Sequence, residues 1–257
     1  MPKNQNKQLC HSANTTTAMS QSALPQEMYD ILNVLDDGST VAIVTLLGSL
    51  CPITKAHVQA FIEARRLLLA EESDIDNDSN RPPCLETFQE MVGFISVNED
   101  AYVSPKFERN GEILPLKYKE RVELVQLAIT DVGPWMSTEE FEGETCLTLQ
   151  RCFPRLSFIH FTMNGADDVL RYRKWRWARE NNRFITMGRK GDTEKVVQAA
   201  AKRGLNPAYF VMGTELPDIS STAVRDALSE RDCSALAEML HPNVMKWCLE
   251  HQTSRQK

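Results

Sequence analysis

The chain has 257 residues, of which 42% are hydrophobic and 25% charged, and carries a net charge of −6. That length suffices for one large α/β domain with a substantial core, and the composition is that of a soluble globular protein. Apolar runs such as 41–47 are far too short to span a bilayer, and the acidic balance argues against a nucleic-acid partner.

Residues 1–26 are rich in Ser, Thr, Asn and Gln, with no acidic residue before Glu27. The stretch lacks the arginines and amphipathic pattern of a transit peptide and reads as a disordered tail, so a mitochondrial location is disfavoured. Residues 27–35 have helical apolar spacing that ends at Asp36-Asp37-Gly38. Residues 41–47 form the first buried strand. A helix follows over 57–70, with Val58, Phe61, Ile62, Leu68 and Leu69 on its apolar face. Residues 71–83 are acidic and polar, carry Pro82-Pro83, and read as an exposed insert. The second strand lies within 89–97, a loop spans 104–114, and a helix with a strong apolar stripe covers 116–129.

Residues 136–141 precede a helix at 145–153. A strand at 156–163 feeds into Asn164-Gly165-Ala166-Asp167. The basic cluster from Arg171 to Arg179 reads as a solvated helix face. A short strand at 184–187 enters Gly188-Arg189-Lys190-Gly191-Asp192. A helix at 193–203, a strand at 209–212 and helices at 222–230 and 243–250 complete the chain. Strands alternate with helices and no repeat is present. This order predicts one domain over 27–257 built on a doubly wound parallel sheet, with ligands at the carboxyl ends of the strands. The seven cysteines and five histidines are scattered without metal-ligand spacing. That pattern suggests reduced thiols in cytoplasm or nucleus and no structural zinc.

Two segments carry chemistry. After the apolar run Val41-Ala42-Ile43-Val44, the chain reads T-L-L-G-S-L-C-P-I-T-K-A-H to His57. A buried strand ends at a glycine, and Thr54 and His57 follow where a helix begins. Gly48 would let the backbone approach an anion, and the helix N-terminus offers free N–H groups. An ordinary β–α junction gives the same pattern. The second segment, Ile219-Ser220-Ser221-Thr222-Ala223-Val224-Arg225, places N-cap residue types before good helix formers. Arg225 lies three residues past Thr222, on the same side of the first turn. A well-capped helix with a surface arginine is the bland reading of it. Two anion cradles in one chain are harder to explain that way.

These segments resemble the end motifs of the T/H-x-x-H nucleotidyltransferase superfamily, and within it the eukaryotic-type nicotinamide-mononucleotide adenylyltransferases. The family's G-S-F-N-P-x-T-x-x-H corresponds to Gly48-Ser49-Leu50-Cys51-Pro52-Ile53-Thr54-Lys55-Ala56-His57, and its I-S-S-T-x-x-R is intact at Ile219 to Arg225. G-F-I-S-V-N-E-D-A-Y at 93–102, Lys119-Glu120-Arg121-Val122, the stretch 135–142 and Gly165-Ala166-Asp167 follow in the family's order. Leu50 and Cys51 replace the usual Phe-Asn, and Phe141 stands where a tryptophan is usual. The resemblance covers roughly 38–252.

It implies a Rossmann-like nucleotidyltransferase fold. The implied reaction is adenylyl transfer from ATP to a pyridine mononucleotide, giving a dinucleotide and pyrophosphate. Gly48 and Ser49 would bring backbone N–H groups to the phosphates, and His57 would donate to the α-phosphate. Thr54 would support the same phosphates or orient His57. Ser221, Thr222 and Arg225 would hold the β- and γ-phosphates. Asp167, after Gly165, would accept bonds from the ATP ribose, although a helix N-cap is an alternative role. Lys106 would contact the mononucleotide phosphate. Phe141, Trp175 and Trp177 are candidates for stacking on the pyridine. Mg²⁺ would accompany ATP with no protein side chain as its dedicated ligand. A homo-oligomer is compatible with the chain. Other acceptors, as in pantetheine-phosphate adenylyltransferases or cytidylyltransferases, remain open, as does a nucleotide-binding scaffold or chaperone without turnover. Segments 93–102 and 135–142 favour the pyridine acceptor, and the presence of Thr54, His57 and Arg225 favours turnover.

Overall fold

The computed structural model describes residues 24–69, 86–109, 115–138 and 144–255. Residues 1–23 of the tail expected at 1–26, and the insert expected at 71–83, lie outside the described residues, while Gln26 already opens the first helix. Six strands form one sheet: β1 (Thr40–Gly48), β2 (Glu90–Val97), β3 (Met136–Thr138), β4 (Ser157–Gly165), β5 (Arg183–Gly188) and β6 (Phe210–Glu215). Their order is β3-β2-β1-β4-β5-β6 and every pairing is parallel. The doubly wound α/β expectation therefore holds. Strand order switches direction between β1 and β4, so Gly48 and Gly165 end on either side of the switch.

The unbroken apolar run of β1 follows from burial on both faces. Ala42 and Val44 enter one core with Met91 and Ile95 of β2. Helices α2 (Lys55–Leu69), α4 (Tyr118–Ile129), α8 (Ser221–Glu230) and α10 (Pro242–Arg255) pack there through Phe61, Leu68, Leu124, Val125, Val224 and Val244. Val41 and Ile43 point the other way, with Val92 and Phe94, against Met28 and Leu32 of α1 (Gln26–Asn33) and Leu149 of α5 (Thr145–Cys152). Leu24 packs on this second core. A third cluster joins Phe184 of β5 and Phe210 of β6 to Ala166 and Val169 of α6 (Ala166–Tyr172) and Val196 of α7 (Thr193–Arg203). Each fully buried Phe, Leu, Ile or Val side chain contributes about 1.5–3 kcal/mol. No described helix is long and apolar enough to cross a membrane.

Several elements differ from expectation. Part of the loop expected at 104–114 is helix: α3 (Asp100–Glu108) runs through Pro105. Val103 and Phe107, one turn apart, bury against the main core and outweigh the lost backbone donor. Residues 136–138 form the edge strand β3. The basic cluster at 171–179 is not one helix face. Arg173 takes a left-handed conformation (φ 54°), ends α6, and starts a 3-10 turn over Lys174–Trp177. A short extra helix, α9 (Cys233–Met239), lies before α10, capped by the Asp232 carboxylate on the Ser234 and Ala235 N–H groups.

Candidate active site

The turn after β1 brings Thr54 and His57 together at the start of α2. The Thr54 backbone N–H donates to His57 Nδ1 at 3.1 Å, and Thr54 Oγ1 lies 2.7 Å from the same nitrogen. A backbone N–H can only donate, so Nδ1 carries the lone pair and the ring proton sits on Nε2. Loss of solvent pushes the His57 pKa down to about 4, and the positive charge of Arg189 acts in the same direction. Near neutral pH the ring is an uncharged Nε2–H donor of fixed orientation. Thr54 is buried and spends its polar groups on His57.

The turn's left-handed residue is Leu50 (φ 44°), not Gly48. Leu50 is buried in the main core, which offsets the roughly 1–2 kcal/mol that such a conformation costs. Its side chain would lie 3.1 Å from a Cβ at Gly48. The glycine thus makes room for Leu50 rather than supplying a positive φ. The Ser49 carbonyl accepts a bond from Arg121 Nη1 at 2.8 Å.

The second motif opens α8 directly against this turn. Ser220 caps the helix by accepting from the Ala223 N–H. Ser221 instead donates its hydroxyl to the Pro52 carbonyl at 2.7 Å. Arg225 Nη1 donates to the Cys51 carbonyl at 3.0 Å and to the Ser221 carbonyl at 3.2 Å, and Nη2 reaches Thr222 Oγ1 at 3.3 Å. The two sequence motifs therefore meet, although Ser221 and Pro52 lie 169 residues apart in the chain. Lys106 projects from the exposed face of α3. Burial pushes the Cys51 thiol pKa up, while the nearby charges of Arg225, Arg121 and Lys106 oppose that rise. Two guanidiniums thus bind the 48–52 turn, Arg121 at the Ser49 carbonyl and Arg225 at the Cys51 carbonyl.

At the end of β4, Gly165 precedes α6 and Asp167 lies in its first turn. A Cβ on Gly165 would sit 2.7 Å from Asp167 Oδ1, so the glycine leaves room for the carboxylate. Arg189 Nη1 donates to Asp167 Oδ2 at 3.1 Å, and its Nη2 to Asp218 Oδ1 at 3.0 Å. These two carboxylates hold the Arg189 guanidinium in its charged form, raising its pKa.

The stacking candidates are placed differently. Trp175 is half-buried against the third core cluster. Trp177 is 55% exposed and lines an open cavity of about 470 Å³ with Lys174, Arg176, Ala178, Arg179, Asn182 and Phe184. None of those residues belongs to the His57–Arg225 group. Phe141 lies outside the described residues. Arg189, Arg121 and Phe107 also neighbour the site, none of them a site residue expected from the sequence. A basic residue just past a strand's carboxyl end was the available signal for Arg189. Arg121 lies in the Lys119-Glu120-Arg121-Val122 segment that follows the family's order, whereas Phe107 falls in the stretch expected to be a loop and carries no such signal.

No protein-family model matches the chain, and no curated protein does. Solved structures match its fold. The nicotinic acid mononucleotide adenylyltransferase of Plasmodium falciparum complexed with APC is 15% identical, with a TM-score of 0.50 over 82% of this chain and 96% of that one. The same enzyme complexed with NaAD is 16% identical, with a TM-score of 0.49 over 83% and 96%. At these identities the likeness is one of fold.

Proposed function

We propose that the chain transfers the adenylyl group of ATP to nicotinate or nicotinamide mononucleotide, releasing pyrophosphate. The observation that carries this reading is the meeting of Thr54 and His57 with Ser221, Thr222 and Arg225 at the end of β1, beside the switch in strand order. The fold shared with the Plasmodium falciparum nicotinic acid mononucleotide adenylyltransferase supports it and favours a pyridine acceptor over other phosphorylated acceptors.

The acceptor's 5′-phosphate attacks the α-phosphorus of ATP, and the bond to the bridging oxygen of pyrophosphate breaks. The nucleophile is already an anion, so no general base is required. Positioning and charge stabilisation do the catalysis. His57 Nε2–H donates to the α-phosphate, where charge builds in the transition state, and Thr54 holds the ring in that tautomer. Arg225 presents its planar fork to the β- and γ-phosphates, supported by Thr222 and the N–H groups that open α8. Gly48 and Ser49 line the turn facing the phosphates. Asp167 accepts from the ribose hydroxyls, with Gly165 leaving space beside it. Lys106 meets the mononucleotide phosphate, and Phe141, Trp175 or Trp177 supplies a ring for the pyridine.

Mg²⁺ would be carried on the ATP phosphates and water, without a dedicated cage of protein side chains. Bound there, it neutralises phosphate charge. Purified protein with ATP and either mononucleotide should release pyrophosphate and form the dinucleotide. Pantetheine phosphate as acceptor, or CTP as donor, should give little. Turnover with those alone, or with no acceptor, would refute the assignment.

A further inference from the structure

Helix α3 touches the phosphate site at both of its ends. Near its C-terminal end the Phe107 ring lies under the Arg225 guanidinium, 4.9 Å from ring centroid to guanidinium carbon. Phe107 is 3% exposed, so the ring is fixed by the core behind it. The opposite edges of the guanidinium are held by the Cys51 carbonyl and Thr222 Oγ1. At the N-terminal end, the Asp100 carboxylate accepts from Arg121 Nη2 at 2.7 Å. Arg121 is fully buried, and its other donors go to the Ser49 carbonyl at 2.8 Å and the Leu116 carbonyl at 3.2 Å. A buried guanidinium of this kind holds its partners firmly, because each lost bond leaves a buried charge under-satisfied.

We propose that α3 is the positioning element of the phosphate site. Phe107 sets the plane of Arg225 from below, and Asp100, acting through Arg121, sets the turn at 48–52. Neither residue touches the reacting atoms. The assignment rests on the reading of Arg225 and the 48–52 turn as the ATP phosphate site. A guanidinium held over a ring face is attracted to that face, which restrains the aim of its fork. An aliphatic residue at 107 would fill the core yet lack that restraint.

The test is titration of magnesium-ATP into wild-type protein and the variants Phe107→Leu, Phe107→Tyr and Asp100→Asn, with a thermal melt of each. Phe107→Leu should bind ATP roughly three- to thirtyfold more weakly, the range spanned by cation–π contacts. Phe107→Tyr, which keeps the ring face, should stay within about twofold of wild type, and Asp100→Asn should weaken ATP by at least about threefold. A folded Phe107→Leu that binds ATP like wild type would overturn the proposal. So would a Tyr variant as impaired as the Leu one, since packing alone would then explain both. If Phe107→Leu does not fold, unchanged ATP binding by Asp100→Asn overturns it. The functional reading is checked apart from this, by pyrophosphate release from wild-type protein. Failure there with ATP binding intact would discard the acceptor and leave the role of α3 standing.

Discussion

The ends of β1 and β4 flank the same switch in strand order, yet they are tied down in different ways. At β1 the bonds are between side chains and backbone carbonyls: Ser221 to Pro52, Arg225 to Cys51, Arg121 to Ser49. Backbone acceptors cannot swing away, and the residues around them are mostly buried. At β4 the ties are ion pairs between mobile side chains, Asp167–Arg189–Asp218, with Arg189 38% exposed and the carboxylates more so. Exposed pairs of that sort contribute about 0–1 kcal/mol and exchange readily for water or ligand. One side of the site is preorganised for charge stabilisation, where misplacement is costly in rate. The other is held loosely, so on the proposed function the ATP ribose would take over the Asp167 carboxylate at little cost.

Substitutions on the two sides should therefore differ in size. The largest effect is expected for His57→Ala, which removes a donor fixed by two contacts from Thr54. Turnover should fall about 10²–10³-fold, with the thermal midpoint little changed. A variant within tenfold of wild type in a pyrophosphate-release assay would remove His57 from the chemistry. Next comes Arg225→Lys. The charge survives, but an ammonium lacks the planar fork that spans the Cys51 carbonyl and Thr222 while facing a phosphate. We expect kcat/KM for ATP to drop on the order of 10- to 100-fold, as for lost hydrogen bonds to a charged group. Kinetics equal to wild type would show that the fork geometry is immaterial.

The third expectation concerns pH. The His57 pKa is about 4 in the folded chain against an ordinary 6.5. Between those values the unfolded chain binds more protons than the folded one. The stabilisation from keeping the ring neutral is then complete above pH 6.5 and is lost as pH falls toward 4 and below. Wild type should lose stability relative to His57→Gln across that window, by at most about 1.4 kcal/mol per pH unit. Parallel denaturant titrations of the two proteins at several pH values would expose a flat difference, and that result would mean the ring titrates normally.

The smallest effect belongs to the loosely held side. Arg189→Gln should change stability by less than about 1 kcal/mol and leave turnover nearly intact. It should also raise the His57 pKa, because the Arg189 charge helps to hold it down. An imidazole NMR titration reads the shift directly. A large loss of stability instead would place the β4 side among the rigid parts of the molecule and erase the contrast.

The sequence by itself determined the alternation of strands and helices, the parallel sheet and the two segments, 48–57 and 219–225, proposed to hold phosphates. Those features are local: short continuous apolar runs, N-cap chemistry at Ser220 and a Thr and His one helical turn apart are written within a few residues of each other. The left-handed residue of the first turn escaped, because glycine is the ordinary choice there and only the core around Leu50 permits an exception. Helix α3 escaped because Pro105 reads as a breaker until Val103 and Phe107 are seen to be buried. The stacking ring for the acceptor also stayed undecided, since Trp175, Trp177 and Phe141 are equivalent as flat apolar side chains and differ only in where the chain carries them. Tertiary structure alone decided that Ser221 and Arg225 reach the carbonyls of Pro52 and Cys51, that Arg121 joins α3 to the turn, and that Arg189 bridges Asp167 and Asp218. Each of these contacts joins residues distant in sequence, and packing of the whole sheet, not any neighbouring residue, sets the distance between them.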